Sequence, residues 1–283
     1  MSARTTSAGV LDAVRAQGRA ALVGYLPAGY PTLPGAVDGV RAMVEGGVDV
    51  VELGMPYSDP VMDGPVIQAA ADEALRAGVR TRDVLRTVED VAATGAAVLV
   101  MSYWAPVLRY GVDAFARDLA SAGGAGLITP DLVPDEAGAW LAASDAHDLE
   151  RVFLVAPSST PARLASTAAA CRGWVYAAST MGVTGVRAEV GAGAQALVGR
   201  TREAGAQRVC VGLGVSTPAQ AAQVAEYADG VIVGSALVRA LGDGGPDAVA
   251  RLAGELAAGV AAGSAAGAAA GSAAAAERAG APS

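Results

Sequence analysis

Two carboxylates and three glycine-rich turns carry the groups in this chain that could do chemistry. Glu52 lies inside the apolar run Val48-Asp49-Val50-Val51-Glu52-Leu53. It is followed by Gly54-Met55-Pro56-Tyr57-Ser58-Asp59-Pro60-Val61-Met62-Asp63-Gly64-Pro65, a Pro/Gly-rich stretch holding two more acids. An ionised carboxylate is costly to bury without partners. A glutamate in such a run therefore has a raised pKa, a reacting partner, or a structural pairing with an arginine or helix end. Local sequence leaves acid–base chemistry and structural pairing both open. The glycine-rich turns are Met181-Gly182-Val183-Thr184-Gly185, Gly212-Leu213-Gly214-Val215-Ser216 and Val233-Gly234-Ser235-Ala236. Glycine lets backbone amides approach an anion, and a following helix N-terminus adds its positive dipole end. Three such turns in succession point to a bound phosphate monoester.

Composition narrows the chemistry further. All 20 basic residues are arginine; there is no lysine, and His147 is the single histidine. Imine chemistry on lysine and a Walker A lysine are excluded. A zinc site built from His147, Cys171 and Cys210 is not expected, nor is any cofactor. His147 sits in a polar stretch and reads as a helix-end residue. With 28 acidic residues, a net charge of −8 and no basic run, the chain is not expected to bind nucleic acid or an anionic membrane. No secretory leader is visible in residues 1–21, where Asp12, Arg15 and Arg19 interrupt any apolar run. The uncharged segment 256–276 is Ala, Gly and Ser with single Leu and Val, a weak candidate for crossing a bilayer. Two cysteines with no evident pairing suit the reducing cytoplasm, which is the expected location.

These groups need elements to position them. Apolar runs at 20–26, 48–53, 97–101, 126–129, 152–155, 174–178, 208–212 and 230–233 alternate with segments of helical period at 33–45, 82–93, 112–122, 135–146, 161–170, 187–203, 218–226 and 247–256. Near-continuous apolar runs suit parallel strands buried on both faces. Eight strand–helix units in about 250 residues predict a single (β/α)8 TIM barrel over residues 1–258. A doubly wound sheet is the alternative, but the first unit lacks G-x-G-x-x-G. Segments 8–17 and 65–77 are extra helices, the first capping the lower end of the barrel and the second in an enlarged loop after strand 2. Residues 259–283, a low-complexity Ala/Gly/Ser tail, are expected to be frayed or disordered. Trp140, Cys171 and Cys210 read as packing residues, and Arg80, Arg82 and Arg86 as a solvated helix start.

The stretch from Glu52 through Asp63-Gly64-Pro65-Val66-Ile67-Gln68 resembles the signature of the tryptophan synthase alpha subunit family. So do Gly24-Tyr25-Leu26-Pro27-Ala28-Gly29-Tyr30-Pro31, Pro130-Asp131-Leu132-Val133-Pro134-Asp135-Glu136, Gly182-Val183-Thr184-Gly185, Gly212-Leu213-Gly214-Val215-Ser216 and Gly234-Ser235. The likeness covers roughly residues 8–258. It implies retro-aldol cleavage of indole-3-glycerol phosphate to indole and glyceraldehyde 3-phosphate. It implies that Glu52 is the general acid–base, that Asp63 accepts the indole N–H, and that Tyr176 stands beside Glu52. Gly182 to Gly185 match a loop that closes the site, with Asp59 and Thr184 as partners across it. Gly185, Gly214, Gly234 and Ser235 match phosphate contacts, and Tyr25 and Tyr103 match the lining of the indole pocket. The resemblance further implies a tryptophan synthase beta subunit as partner, in a heterotetramer of two alpha and two beta chains. Thr180, where the family often has Arg, and Ala105, where Asn is common near the partner surface, depart from the usual pattern.

Aldol-type cleavage needs an amine, a polarising metal, or an electron sink in the substrate. An indole protonated at carbon is such a sink, and carboxylates suffice to move its protons. Three other readings compete: a stand-alone lyase releasing free indole, a non-catalytic activator of the beta subunit, and a sugar-phosphate isomerase or epimerase on the same barrel.

Overall fold

The structure, a computed structural model, describes residues 4–178, 192–212 and 214–280. Eight parallel strands close into a barrel in sequence order: β1 (Ala21–Pro27), β2 (Val50–Gly54), β3 (Ala97–Met101), β4 (Gly126–Thr129), β5 (Glu150–Val155), β6 (Val175–Ala178), β7 (Val209–Gly212) and β8 (Gly230–Val233). β1 pairs with both β2 and β8, so no sheet edge is left open. Each strand begins and ends within two residues of the apolar run that predicted it. The (β/α)8 barrel expected from the alternation is the fold observed.

Helices α2 (Leu33–Glu45), α4 (Thr81–Ala92), α6 (Val112–Ser121), α7 (Gly138–Ala146), α8 (Pro161–Ala170), α9 (Ala192–Glu203), α10 (Pro218–Ala225) and α11 (Ser235–Gly280) form the outer layer. The expected helix at 187–203 lies partly outside the described residues. Thr32, Thr160 and Thr217 cap α2, α8 and α10 through their side-chain oxygens, each followed by a proline in the first turn. Outward-facing strand residues such as Leu22, Val51, Val98, Leu127, Phe153, Val211 and Val231 pack under these helices. Inward-facing ones, among them Val23, Val50, Leu99, Ile128, Val152, Tyr176 and Ile232, fill the barrel. Period-2 alternation explains the division.

The extra helices are α1 (Ser7–Ala16) and α3 (Pro65–Arg76), both where the sequence places them. α1 closes the lower end, with Leu11 and Val14 buried against the inward cluster. Its first turn is held by Glu150 at the start of β5. That carboxylate accepts hydrogen bonds from the Ser7 amide (2.9 Å), the Ser7 hydroxyl (2.6 Å) and the Ala8 amide (2.9 Å). Trp174 donates to the same hydroxyl at 3.0 Å. A negative group at a helix N-terminus satisfies amides that have no partner within the helix.

Two elements depart from expectation. α5 (Trp104–Tyr110), a short helix after β3, was not expected, because Pro106 and its aromatic flanks mask any helical period. The C-terminal segment is also not frayed where the sequence predicts. α11 runs on past Gly259, bending at Gly245 and Pro246, with Val260 and Ser264 buried. Ser264 accepts from the Ala20 amide at 2.9 Å and donates to the Val260 carbonyl at 2.8 Å. Gly259, Gly263 and Gly267 face Pro218 and Ala222 of α10 and Glu226 at its end so closely that a side chain at any of them would meet backbone. A segment of small residues buries little area per residue, but here it brings two helix backbones into contact.

The lower-end anchor leads to a measurable expectation. Glu150→Ala leaves the Ser7 and Ala8 amides without their acceptor, and should lower the unfolding free energy by about 2 kcal/mol or more in chemical denaturation. An unchanged denaturation midpoint would show that α1 is held by apolar packing alone.

Candidate active site

The upper rim of the barrel is where the strands end and the chemistry-bearing residues meet. Register sets the arrangement. Val50, Glu52 and Gly54 share the inward face of β2, and Tyr25 on β1 pairs with Glu52. Tyr176 on β6 pairs with Cys210 on β7. Both tyrosine rings lean along the barrel toward a glycine two residues further up the neighbouring strand. A Cβ at Gly54 would lie 2.1 Å from the Tyr25 hydroxyl, and one at Gly212 would lie 2.2 Å from the Tyr176 hydroxyl. Glycine at these two positions clears the space the phenols occupy.

A cleft open to solvent at its mouth is lined by Tyr25, Glu52, Asp63, Tyr176, Gly214, Gly234 and Ser235. The structure thus gathers into one cavity seven of the residues singled out from sequence. Met62, Ile67, Met101, Leu154, Val215, Ser216 and Ile232 complete the wall. Sequence reasoning gave none of these a role of its own, although Ile232 was findable: it lies two residues before Gly234 and so shares its inward face. Tyr103 is not part of this wall. It lies beside Asp63, its hydroxyl accepting the Met62 amide at 3.0 Å and lying within hydrogen-bonding reach of the Asp63 carboxylate. Asp59 lies outside the cleft, on a groove shared with Tyr57, Arg109 and Ala105. Gly182, Thr184 and Gly185, together with Thr180, lie outside the described residues.

Glu52 is 1% exposed and its Oε2 has no hydrogen-bond partner. Burial, reinforced by the charge of Asp63, raises its pKa from the ordinary 4.5 to about 8. It is therefore protonated at neutral pH and can act as an acid. Asp63 is half-buried. Burial raises its pKa to about 6, against the lowering effect of the Tyr103 hydrogen bond. One carboxyl holds a proton while the other is predominantly charged, a division of acid and charge-stabilising roles set by environment. Tyr25 and Tyr176 have phenols pushed well above the ordinary 10, first by burial and then by the nearby carboxyls. They stay neutral. Gly234 and Ser235 line the cleft at the start of α11, and a helix N-terminus favours an anion. Among the described residues no cluster of three or more His, Cys, Asp or Glu could hold a metal ion.

Other residues fall where packing puts them. Trp140 is fully buried, Cys210 is buried and Cys171 half-buried, and His147 ends α7 beside Asp113. Arg80 precedes α4, and Arg82 and Arg86 lie on it, along the same outer groove as Asp59.

A parallel eight-stranded barrel with a raised-pKa glutamate and an aspartate on one apolar cleft is the architecture of a barrel enzyme that works by acid–base chemistry. A sequence model of the tryptophan synthase alpha chain matches residues 11–261, and the chain belongs to that family. It is 63% identical over 247 residues to the tryptophan synthase alpha chain of Mycobacterium avium, covering 87% of this chain and 91% of that one. The identity and coverage are the same for the Mycobacterium tuberculosis alpha chain. Among solved structures it is similar to Mycobacterium tuberculosis tryptophan synthase, with 60% identity, a TM-score of 0.86, and 91% and 99% of the two chains covered. The alpha chain from Legionella pneumophila aligns at 30% identity with a TM-score of 0.81, covering 91% and 98%.

The Glu52 environment yields a stability test. A carboxyl whose pKa is higher folded than unfolded favours the fold below about pH 4.5, and that contribution is lost as pH rises to about 8. Glu52→Gln cannot ionise, so its thermal stability relative to the unsubstituted chain should climb steadily from pH 5 to pH 8. Parallel melting curves across that range would remove the buried-acid description.

Proposed function

We propose a division of labour among the residues of this chain, which as an alpha chain of tryptophan synthase cleaves indole-3-glycerol phosphate into indole and glyceraldehyde 3-phosphate. Glu52, as the protonated acid, delivers its proton to the indole carbon that bears the glycerol chain. The ring becomes an indoleninium, and its N–H hydrogen-bonds to the carboxylate of Asp63, which stabilises the positive charge. Glu52, now a carboxylate, takes the proton of the adjacent glycerol hydroxyl. The carbon–carbon bond breaks, its electron pair returns to the ring, and the hydroxyl carbon becomes the aldehyde. The observation that carries this reading is the pairing of a raised-pKa Glu52 with Asp63 on one cleft.

Tyr25 and Tyr176 supply flat apolar walls for the indole. The backbone of Gly214, Gly234 and Ser235 holds the phosphate, with Gly182, Thr184 and Gly185 as further contacts on the resemblance alone. Asp59 pairs with Thr184 as the site closes, again on the resemblance. Indole passes to a beta chain.

The partner face is best supported by exposed apolar groups. Val61, Leu108 and Val133 are the exposed large hydrophobics among the described residues, and they stand on the successive segments after β2, β3 and β4. Ala105 and Arg109 of α5 border the same outer groove as Tyr57 and Asp59. We infer that the beta chain docks there, in an assembly of two alpha and two beta chains, a stoichiometry that rests on the family resemblance. A stand-alone lyase would share every residue of the cleft, so indole release with and without a beta chain distinguishes the two. A cytoplasmic location fits a biosynthetic role. α11 is long and apolar enough, by length and composition, to cross a membrane, yet Leu237, Leu241, Val249, Leu256 and Val260 are buried against the barrel.

Removing the acid should be decisive. Glu52→Gln and Asp63→Asn should each keep the fold and lower indole release by about 10²–10⁴-fold. Near-normal turnover in either variant would remove that residue from the chemistry. Gly234→Val places a branched side chain at the anion end of the cleft and should raise KM by roughly tenfold or more; an unchanged KM would place the phosphate elsewhere.

A further inference from the structure

The two carboxylates of the cleft are positioned by different means. Glu52 projects from β2, where hydrogen bonding to β1 and β3 sets its place. Asp63 lies in the connection 55–64, which contains no helix or strand. A loop of that length has many conformations unless something fixes it. Tyr103 supplies the fixing group. Its phenol oxygen accepts the Met62 amide at 3.0 Å and lies within hydrogen-bonding reach of the Asp63 carboxylate, so a single atom engages two consecutive loop residues.

Tyr103 is itself held firmly. It is 5% exposed, its ring packs on Tyr57 with centroids 5.1 Å apart, and its carbonyl accepts the Ser102 hydroxyl at 2.8 Å. The next amide, Trp104, donates to both oxygens of Asp131 after β4, at 2.9 and 3.1 Å. The chain on either side of Tyr103 is thus tied to β3 and to the segment after β4.

We propose that Tyr103 is a positioning residue for Asp63, aiming its carboxylate into the cleft and stabilising its charged form. This goes beyond lining the indole pocket, and it rests on the reading that Asp63 faces the indole nitrogen. Among the described residues, the titratable groups facing Asp63 are Glu52 from β2, Tyr25 from β1, Tyr176 from β6 and Tyr103 from the start of α5. None is a cation. The Tyr103 hydroxyl is the donor that offsets the burial of Asp63, since a hydrogen bond to a carboxylate favours its ionised state.

The test is a direct titration of Asp63 by ¹³C-carboxyl NMR in the full chain, its resonance assigned by disappearance in Asp63→Asn. In Tyr103→Phe the midpoint should rise by about one to two pH units. The acid limb of kcat/KM should move up with it, and kcat/KM at neutral pH should fall by about tenfold or more. Replacing Tyr103 with 3-fluorotyrosine, a stronger donor, should move the midpoint down and provides a second measurement should the Phe variant not fold. A purely structural role would lower thermal stability and leave both midpoints alone, so superposed titrations would overturn the proposal. If Asp63→Asn turns over normally, the reading of Asp63 fails, while the titration still decides whether Tyr103 governs its ionisation.

Discussion

A carboxyl group kept out of water at the top of a closed sheet is the constraint on which the rest of this molecule depends. Glu52 cannot turn to solvent, because the register of β2 between β1 and β3 points it inward. Nor can it ionise readily there, because no basic side chain lines the cleft among the described residues and one of its oxygens lacks any partner. The barrel thereby converts a weak acid that would be spent at neutral pH into one that still holds its proton. The tyrosines, the clearance at Gly54 and Gly212, and the tethered loop of Asp63 are arranged around that proton.

Asp63 shows the complementary use of the same dry space. It is less buried and bonded to a phenol, and it titrates below Glu52. Two identical functional groups a few residues apart in sequence thus end in different protonation states, because one sits on a strand and the other on a tethered loop. Mutual repulsion sharpens the difference, since the charge of Asp63 is one cause of the raised pKa of Glu52.

The barrel was legible because parallel strands buried on both faces leave uninterrupted apolar runs, and all eight were visible as such. The location of Glu52 was legible for the related reason that an acid inside such a run is anomalous. The roles of Glu52 and Asp63 came from the motif resemblance; local sequence left chemistry and structural pairing balanced for Glu52. α5 was not legible, since seven residues with a proline carry too little period to register. The contact of Tyr103 with the Met62–Asp63 segment depends on a hydrogen bond between segments forty residues apart, which no local pattern encodes. Low complexity after residue 259 reads as disorder in sequence, whereas Gly259, Gly263 and Gly267 owe their packing to having no side chain.

The pairing of β1 with β8 has a consequence for biogenesis. During synthesis β1 leaves the ribosome about 200 residues before Gly230–Val233, so one flank of the first strand stays unpaired through most of translation. The Glu150 anchor for α1 arrives midway, before the ring can close, and sheathes the bottom of the unfinished sheet. Ser264 reaches the Ala20 amide only after β8 has been made, latching the residue before β1 to α11. Until β8 is made, that flank of β1 has no strand partner and the ring cannot close, and an open sheet edge is a site for unwanted pairing.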